Sequence, residues 1–401
     1  MKIPLLLVQW LRLLFLGSAL LTSAVLAQSY FSVYGTVDMG LAINSNSFNP
    51  ADTFRGGSNI GLVSGGQSDN RLGFRGGESL GNGTQINFIL ESAINLGNGS
   101  LDQPDRLFGR QAWLGVENKS LGYVRFGRQR SFSDIYLSDL TPFGPGDFTQ
   151  ATMGVSFGAA DVSRLSNMIK VETALMDGFR LGLGYSFSAQ MPSVYTRDGR
   201  LPVAPGDTEN YNYSAQNNMR VVTAGFQYYN GPVYLTGMYD IYYPNAQTAE
   251  GNYSPATAAV IGGMYNFGQF KLSAAYGQTK NGWMNALQTV DGFVQYGSFD
   301  NQNSSIVFDP SVSVNSYLLG VTLPTNEATD LYVSWQLAKP SAEMQQNSVF
   351  TIATQSVWSL GYSYKFTPLT NMYVYAGYAT NYSLVEGVTN STLGIGVRHR
   401  F

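Results

Sequence analysis

The chain has 401 residues, of which 12% are charged, 13% aromatic and 44% hydrophobic. Average soluble domains carry about 25% charged residues, yet the mean hydropathy of −0.08 is too polar for a bundle of membrane-spanning helices. The absence of cysteine excludes disulfides and thiolate sites, and the single histidine leaves almost no room for histidine-based chemistry. We therefore expect neither a cofactor nor an enzyme. The excess of Gly (45), Tyr (26) and Phe (23) favours strands and predicts a large all-β protein.

Residues 1–27 have the pattern of a secretory signal peptide. Lys2 and Arg12 are their only charges, an apolar stretch follows, and Ala27 provides a small residue for signal peptidase before Gln28. An N-terminal membrane anchor is the alternative interpretation. Cleavage removes two basic residues and changes the net charge from −3 to about −5, which argues against nucleic acid as a partner.

Apolar residues recur at every second position through the rest of the chain, in segments of about ten residues. One such row is Leu181, Leu183, Tyr185 and Phe187. Period-two alternation marks strands with one apolar and one polar face, and the segment length is that of a tilted strand crossing a membrane. Sixteen segments have this pattern, beginning near Tyr30, Gln67, Gly83, Leu107, Leu121, Arg164, Gly178, Asn218, Gly231, Thr257, Gln269, Ser313, Ala328, Thr354, Thr370 and Asn390.

The connections between these segments alternate between short and long. Tight turns such as Asp177-Gly178 and Asn230-Gly231 join some neighbours. Longer polar segments join the others, over residues 45–66, 96–105, 131–163, 190–217, 244–256, 281–312, 341–353 and 381–389. This arrangement is typical of a barrel with short turns on one side of a membrane and long loops on the other. The prediction is a 16-stranded antiparallel transmembrane β-barrel over residues 28–401, with short periplasmic turns and long external loops.

The last strand carries its own signal. Phe401 ends the chain in register with Val397, Ile395 and Leu393. A terminal aromatic residue after alternating apolar residues resembles the signal by which outer-membrane barrels are recognised for assembly. A chance aromatic end to an ordinary strand is the alternative.

Several strand sequences resemble those of the Gram-negative general porins, especially the Neisseria and Burkholderia type. The resemblance is spread over the mature chain, and it is carried by the order and spacing of the segments at residues 32–41, 71–76, 108–116, 124–129 and 397–401. It implies a sixteen-stranded barrel in the outer membrane, a homotrimer, and a third external loop folded inward to narrow the pore. The partners it implies are outer-membrane lipid and lipopolysaccharide, the barrel assembly machinery, and the small hydrophilic solutes and ions that diffuse through.

Alternation also assigns charged residues to the lumen, because an arginine facing the hydrocarbon midplane costs about 2–4 kcal/mol. With Leu72 and Phe74 facing lipid, the neighbouring arginines face inward, and Arg110 does so if Trp113 points to lipid. The candidates for a basic wall of the constriction are Arg71, Arg75, Arg110, Arg125, Arg164, Lys170 and Arg180. Solvated charges scattered in a wide lumen are the alternative.

Residues 131–163 are the candidate constriction loop, because the segment follows the fifth strand and contains acidic residues but no basic one. Asp134, Asp139 and Asp147 are the acidic candidates. Arginines facing acidic groups across a narrow opening create a transverse field that orients dipolar solutes and sorts ions by sign. A surface loop with solvated acids is the alternative.

The predicted function is passive diffusion of small hydrophilic solutes and ions with weak charge selectivity. The basic candidates outnumber the acidic ones and favour anions, although Asp38 and Glu91 are also expected in the lumen and keep cation preference open. A substrate-specific channel and an adhesive or structural barrel are the alternatives. A barrel hydrolase would depend on His399, which falls on the predicted lipid face.

Overall fold

The computed structural model describes residues 29–47, 57–103, 106–142, 156–157, 164–189, 219–244, 254–284, 288–290, 293–295, 306–342 and 352–401. The predicted signal peptide at residues 1–27, Asp147, and most of the candidate constriction loop lie outside these residues. Within the described residues, no helix is long and apolar enough to cross a membrane.

Nineteen strands and one α-helix make up the described chain. In chain order they are β1 (Ser29–Ser47), β2 (Gly57–Ser64), β3 (Arg71–Gly81), β4 (Thr84–Ala93), β5 (Gln111–Asn118), β6 (Gly122–Arg130), helix α1 (Phe132–Leu140), β7 (Arg164–Thr173), β8 (Phe179–Ser186), β9 (Arg220–Asn230), β10 (Val233–Tyr243), β11 (Ala256–Asn266), β12 (Lys271–Met284), β13 (Gln288–Val290), β14 (Phe293–Gln295), β15 (Ile306–Pro324), β16 (Thr329–Pro340), β17 (Gln355–Lys365), β18 (Thr370–Thr380) and β19 (Thr389–Arg400). A short 3-10 turn, Tyr382–Leu384, precedes β19.

Seventeen of the strands form one sheet that closes on itself. One edge of β1 pairs with β19, from Thr36 opposite Arg400 to Ser47 opposite Thr389. The other edge pairs with β3 along its first half and with β2 along its second half, so β2 and β3 share one position in the wall. Seventeen strands in which two share a position make sixteen positions, and every pairing is antiparallel. The predicted 16-stranded antiparallel barrel is confirmed.

Two of the predicted long loops are partly strand. Residues 45–66 contain β2, in which Ile60 and Leu62 keep the apolar alternation and are 75% and 69% exposed. The predicted loop at residues 281–312 is shortened at both ends, because β12 and β15 continue to pair beyond a register shift between Lys280 and Gly282. In both places backbone pairing to a neighbouring strand extends regular structure through sequences rich in glycine, serine and asparagine.

The two faces of the wall differ in the way that alternation predicts. Large apolar side chains such as Leu181, Leu183 and Ile395 are about half exposed on the outer face. Polar and small residues occupy the inner face, where Asp38 and Asp240 are fully buried. An apolar outer face and a polar inner face are the arrangement of a barrel that spans a membrane.

Candidate functional site

Helix α1 lies inside the barrel, directly after β6. Ser131 caps its first turn, because the Ser131 side chain accepts a hydrogen bond from the Asp134 backbone N–H at 3.0 Å. One side of the helix is fully buried through Phe132, Tyr136 and Leu140. These residues recur every four positions, so they form one stripe that faces the wall. Helix α1, the described start of the connection between β6 and β7, therefore lies within the barrel.

Glycines on the inner face form a furrow that accepts this helix. Gly182 on β8, Gly225 on β9 and Gly262 on β11 have no Cβ where the helix side chains lie. A Cβ at each of these positions would overlap a side chain of the helix: Phe132 at Gly182, Tyr136 at Gly225 and Leu140 at Gly262. The same relation holds farther along the segment, with Pro142 at Gly320 and Phe157 at Gly277. Glycines of β8, β9, β11, β12 and β15 thus leave room on the inner face for helix α1, Pro142 and Phe157.

Two polar contacts tether the first half of the helix to the wall. The Ser133 hydroxyl donates to Asp240 of β10, and the Tyr136 hydroxyl donates to Oε1 of Glu172 on β7 at 2.7 Å. The sequence analysis did not include Asp240 among its candidates. Asp240 stands between Tyr239 and Ile241, so the alternation of β10 could have predicted that it faces inward. In the structure Tyr239 is 46% exposed on the outer face.

The two described acidic candidates are bound to different partners. Asp134 forms an ion pair with Arg130, the last residue of β6. Asp139 accepts a hydrogen bond from Nε2 of Gln227 on β9 at 3.1 Å. Burial raises the pKa of the Asp139 carboxyl above its usual value. The structure thus places Asp134 beside a basic residue of its own chain segment and Asp139 against the wall.

Register places four of the basic candidates on the inner face. Arg71 lies opposite Thr36 and Arg75 opposite Ser32, and both arginines donate from Nε to those hydroxyls, at 3.3 and 2.9 Å. The other two are Arg125, which pairs in register with Gly115, and Arg180, which pairs with Gln227.

Arg110 is the centre of a buried ion-pair cluster. Its Nε lies 2.7 Å from Oε1 of Glu91, and its Nη1 contacts Asp69. Arg164 approaches the same Asp69 carboxylate at 3.9 Å. The Tyr34 hydroxyl donates to the other oxygen of Glu91 at 2.8 Å. Four charged side chains, from β4, β7 and the residues that precede β3 and β5, therefore lie together.

The inward direction of Arg110 was predicted on the condition that Trp113 faces lipid, and that condition is wrong. Trp113 points inward, where it is 6% exposed and lies beneath the guanidinium of Arg125, 4.3 Å from the ring centroid to Cζ. Its outward neighbour on the strand is Leu114. Arg110 precedes the first residue of β5, Gln111, so the alternation of that strand does not fix its direction, and its two carboxylate partners do.

Asp69 reaches the cluster because the chain between β2 and β3 bends into the barrel. Asp38 of β1 anchors the bend by accepting hydrogen bonds from the backbone N–H groups of Gln67 and Ser68, at 3.0 and 2.7 Å. Burial alone would raise the pKa of the Asp69 carboxyl, but the guanidiniums of Arg110 and Arg164 outweigh it and hold this pKa below its usual value. The sequence analysis missed Asp69, and the glycine pair at residues 65 and 66 is the signal that could have marked the bend.

Lys170 lies on the inner face but not on its open surface. It is 1% exposed, its Nζ donates to the backbone oxygen of Arg130 at 3.0 Å, and it lies 4.3 Å from the centroid of the Phe132 ring. The start of helix α1 therefore covers this lysine.

A closed antiparallel barrel with an apolar outer face, a charged inner wall and an inward-folded segment defines a porin-type channel of the outer membrane. The Gram-negative porin family matches residues 15–384 of the chain. An outer membrane porin protein of Bordetella pertussis is 33% identical over 402 residues, covering 96% of this chain and 99% of that protein. The solved anion-selective porin from Comamonas acidovorans is 22% identical, with a TM-score of 0.64, over 93% of this chain and 100% of that one.

The chain therefore belongs to the Gram-negative porin family, and its location is the outer membrane. A second solved structure, the trimer form of the Vibrio cholerae outer membrane protein OmpT, is 16% identical, with a TM-score of 0.56, over 93% of this chain and 99% of that one.

Proposed function

We propose that the protein is a passive channel for small hydrophilic solutes and ions rather than an enzyme, with weak charge selectivity. The observation that carries this proposal is a closed barrel whose inner face holds both the Arg110 cluster and helix α1. Helix α1 contacts β8 to β12, while the cluster involves β4, β7 and the ends of β3 and β5. Inward-facing arginines such as Arg75 and Arg180, and the Asp139 carboxyl of helix α1, are the opposite charges that we propose set up a transverse field across the opening.

The selectivity we propose is a weak preference for anions. Asp69, Glu91, Glu117 and Asp134 each have a cationic partner within 4 Å. The buried acids Asp38, Glu172 and Asp240 instead accept hydrogen bonds from neutral groups: Asp38 from Tyr373, Glu172 from Tyr136 and Asp240 from Ser133. By contrast, Arg75 and Arg180 form no ion pair with any carboxylate that the structure describes. Among the inward charges that the structure describes, Arg75 and Arg180 therefore have no acidic partner, and Asp139, which is hydrogen-bonded to the neutral Gln227, is the opposing acid. We propose that the resulting balance is weakly positive.

Assembly partners follow from the family. We infer a homotrimer, supported by the trimer form of the Vibrio cholerae relative. Phe401 is proposed as the recognition residue for the barrel assembly machinery. Its backbone N–H donates to the oxygen of Gly35 at 3.2 Å, so the last residue completes the seam between β1 and β19.

The reversal potential across a salt gradient tests the proposed selectivity. We expect the wild-type channel to prefer anions weakly and the double variant Arg75→Gln/Arg180→Gln to shift the reversal potential toward cations. Lys119→Gln removes one positive charge from an exposed turn outside the barrel wall and is expected to leave the potential unchanged. A cation-selective wild type, or a double variant that behaves like the control, would contradict the proposal.

A further inference from the structure

An arginine in the short-turn half of the barrel is held between two aromatic rings on the inner face. Cζ of Arg125 on β6 lies 4.3 Å from the ring centroid of Trp113 and 3.7 Å from that of Tyr123. The register of β5 and β6 places the two aromatic residues on either side of Arg125 along the wall. Cation–π contacts with two rings fix the plane of the guanidinium, so its edge is the direction in which it can bind a further group.

Neighbouring residues keep this arginine in place. Gly115 lies opposite Arg125 on β5, and a Cβ built there would lie 2.8 Å from Cγ of Arg125. The missing side chain therefore lets the arginine lie close against the wall. Nε1 of Trp113 donates to Oε1 of Gln111 at 3.0 Å, which fixes the orientation of that ring. A binding group that is already ordered loses little conformational freedom when a ligand arrives.

The guanidinium of Arg125 donates no hydrogen bond to any group in the part of the chain that the structure describes. Among the described carboxylates that of Glu117 comes closest, with Oε2 3.8 Å from Nη2, which is beyond hydrogen-bond distance. The Arg125 side chain is 25% exposed, so its edge is open to the channel. An arginine fork pairs best with a planar carboxylate, through two parallel N–H···O bonds. The edge of Arg125 can therefore receive a carboxylate from the lumen.

An acid stands directly beside this arginine. Oε2 of Glu117 accepts a hydrogen bond from Nδ2 of Asn87 at 3.0 Å, and no described group donates to the other oxygen. The Glu117 side chain is 35% exposed, so it too can contact a solute in the channel. A simple anion bound at Arg125 would be repelled by this carboxylate. A ligand with a positive charge next to its own carboxylate would instead be attracted by both side chains.

We propose that Arg125 and Glu117 form a binding site for the charged head group of α-amino acids that diffuse through the channel. The ligand carboxylate lies against the edge of Arg125, and the ligand ammonium lies at Glu117. A single carbon separates these two groups in an α-amino acid, which matches two protein charges that are 3.8 Å apart. The contact is weak because both side chains are partly exposed, as release from a channel requires. The inference rests on the proposed channel function, because the ligand reaches the site through the lumen.

Saturation-transfer-difference NMR of the full-length protein in detergent micelles, titrated with L-alanine, tests this site. Two further probes each lack one charge: propionate has no ammonium group, and alanine methyl ester has no carboxylate. We expect both to bind the wild type about ten-fold or more weakly than L-alanine does, since each loses a hydrogen bond between charged groups.

Matched variants assign the two charges to their residues. Arg125→Lys keeps the positive charge but removes the planar fork, and it is expected to weaken L-alanine binding about ten-fold. Glu117→Gln is expected to weaken L-alanine binding by a similar factor without weakening the binding of propionate. Arg75→Lys is the control, because it makes the same change in another arginine of the inner face and should bind L-alanine as the wild type does.

Three results would overturn the proposal. L-Alanine without saturable binding would show that no site exists. Equal binding of L-alanine and propionate by the wild type would show that Glu117 takes no part. Equal weakening in Arg125→Lys and Arg75→Lys would show a general effect of the inner arginines. The reversal potential of the wild type in salt alone is recorded in parallel, so that a weakly anion-selective channel without L-alanine binding refutes this site and leaves the proposed function intact.

Discussion

Replacement of Arg110 by glutamine is expected to lower the free energy of unfolding by about 3–5 kcal/mol, because removal of one partner from a buried ion pair leaves an uncompensated charge. The Arg110 side chain is 7% exposed and that of Glu91 4%. Glutamine retains some hydrogen-bonding capacity but neutralises neither Glu91 nor Asp69. Denaturation of the refolded protein in detergent micelles measures the change.

The pH dependence of this loss of unfolding free energy distinguishes an electrostatic role of Arg110 from a packing role. The pKa of the Asp69 carboxyl is lowered in the folded protein, so its contribution to stability is present above its unfolded pKa of about 3.9 and is lost as the pH falls through the lower folded value. The difference in unfolding free energy between the wild type and Arg110→Gln should therefore become smaller below about pH 4. Arg75→Gln is the control: Arg75 is exposed and bonded to Ser32, so a change within about 0.5 kcal/mol is expected. A deficit independent of pH would show that packing, not charge, explains the role of Arg110.

Replacement of Gly225 by leucine is expected to move helix α1 away from the wall and to lower single-channel conductance. A side chain at this position overlaps the ring of Tyr136, and overpacking of this kind costs about 1–3 kcal/mol. The wall occupies one side of the helix, so the free direction is toward the channel axis. Conductance recorded in planar bilayers measures the narrowing.

Gly61→Leu is the matched control for this substitution. Gly61 lies on β2, and a Cβ built there meets no atom within 4 Å. The same change of side chain is therefore expected to leave conductance at the wild-type level. Wild-type conductance in Gly225→Leu would mean that the helix does not border the narrowest part of the channel.

Alternation predicted the wall well because each strand residue has only two directions available. All sixteen wall positions and the inward direction of Arg71, Arg75, Arg125 and Arg180 follow from the row of apolar residues on each strand. The structural class was therefore readable before any contact was known. Alternation says nothing, however, about what covers an inward residue.

Two of the errors arose where chain outside the regular strands lies against the inner wall, and the third, at Trp113, lies on a regular strand. Lys170 has the predicted face but lies under helix α1. Trp113 is a large apolar side chain that points inward, where its ring stacks beneath the guanidinium of Arg125. Asp69 lies in an inward bend that local sequence presents as part of an external loop. These placements depend on contacts between residues distant in sequence.

Single-channel recording of the purified full-length protein in a planar bilayer tests the central claim most directly. The claim is that the barrel encloses a passive, water-filled passage narrowed by helix α1. We predict stepwise insertion events whose conductance rises in proportion to the conductivity of the bathing salt. A protein that inserts as a folded barrel but gives no conductance steps would contradict it.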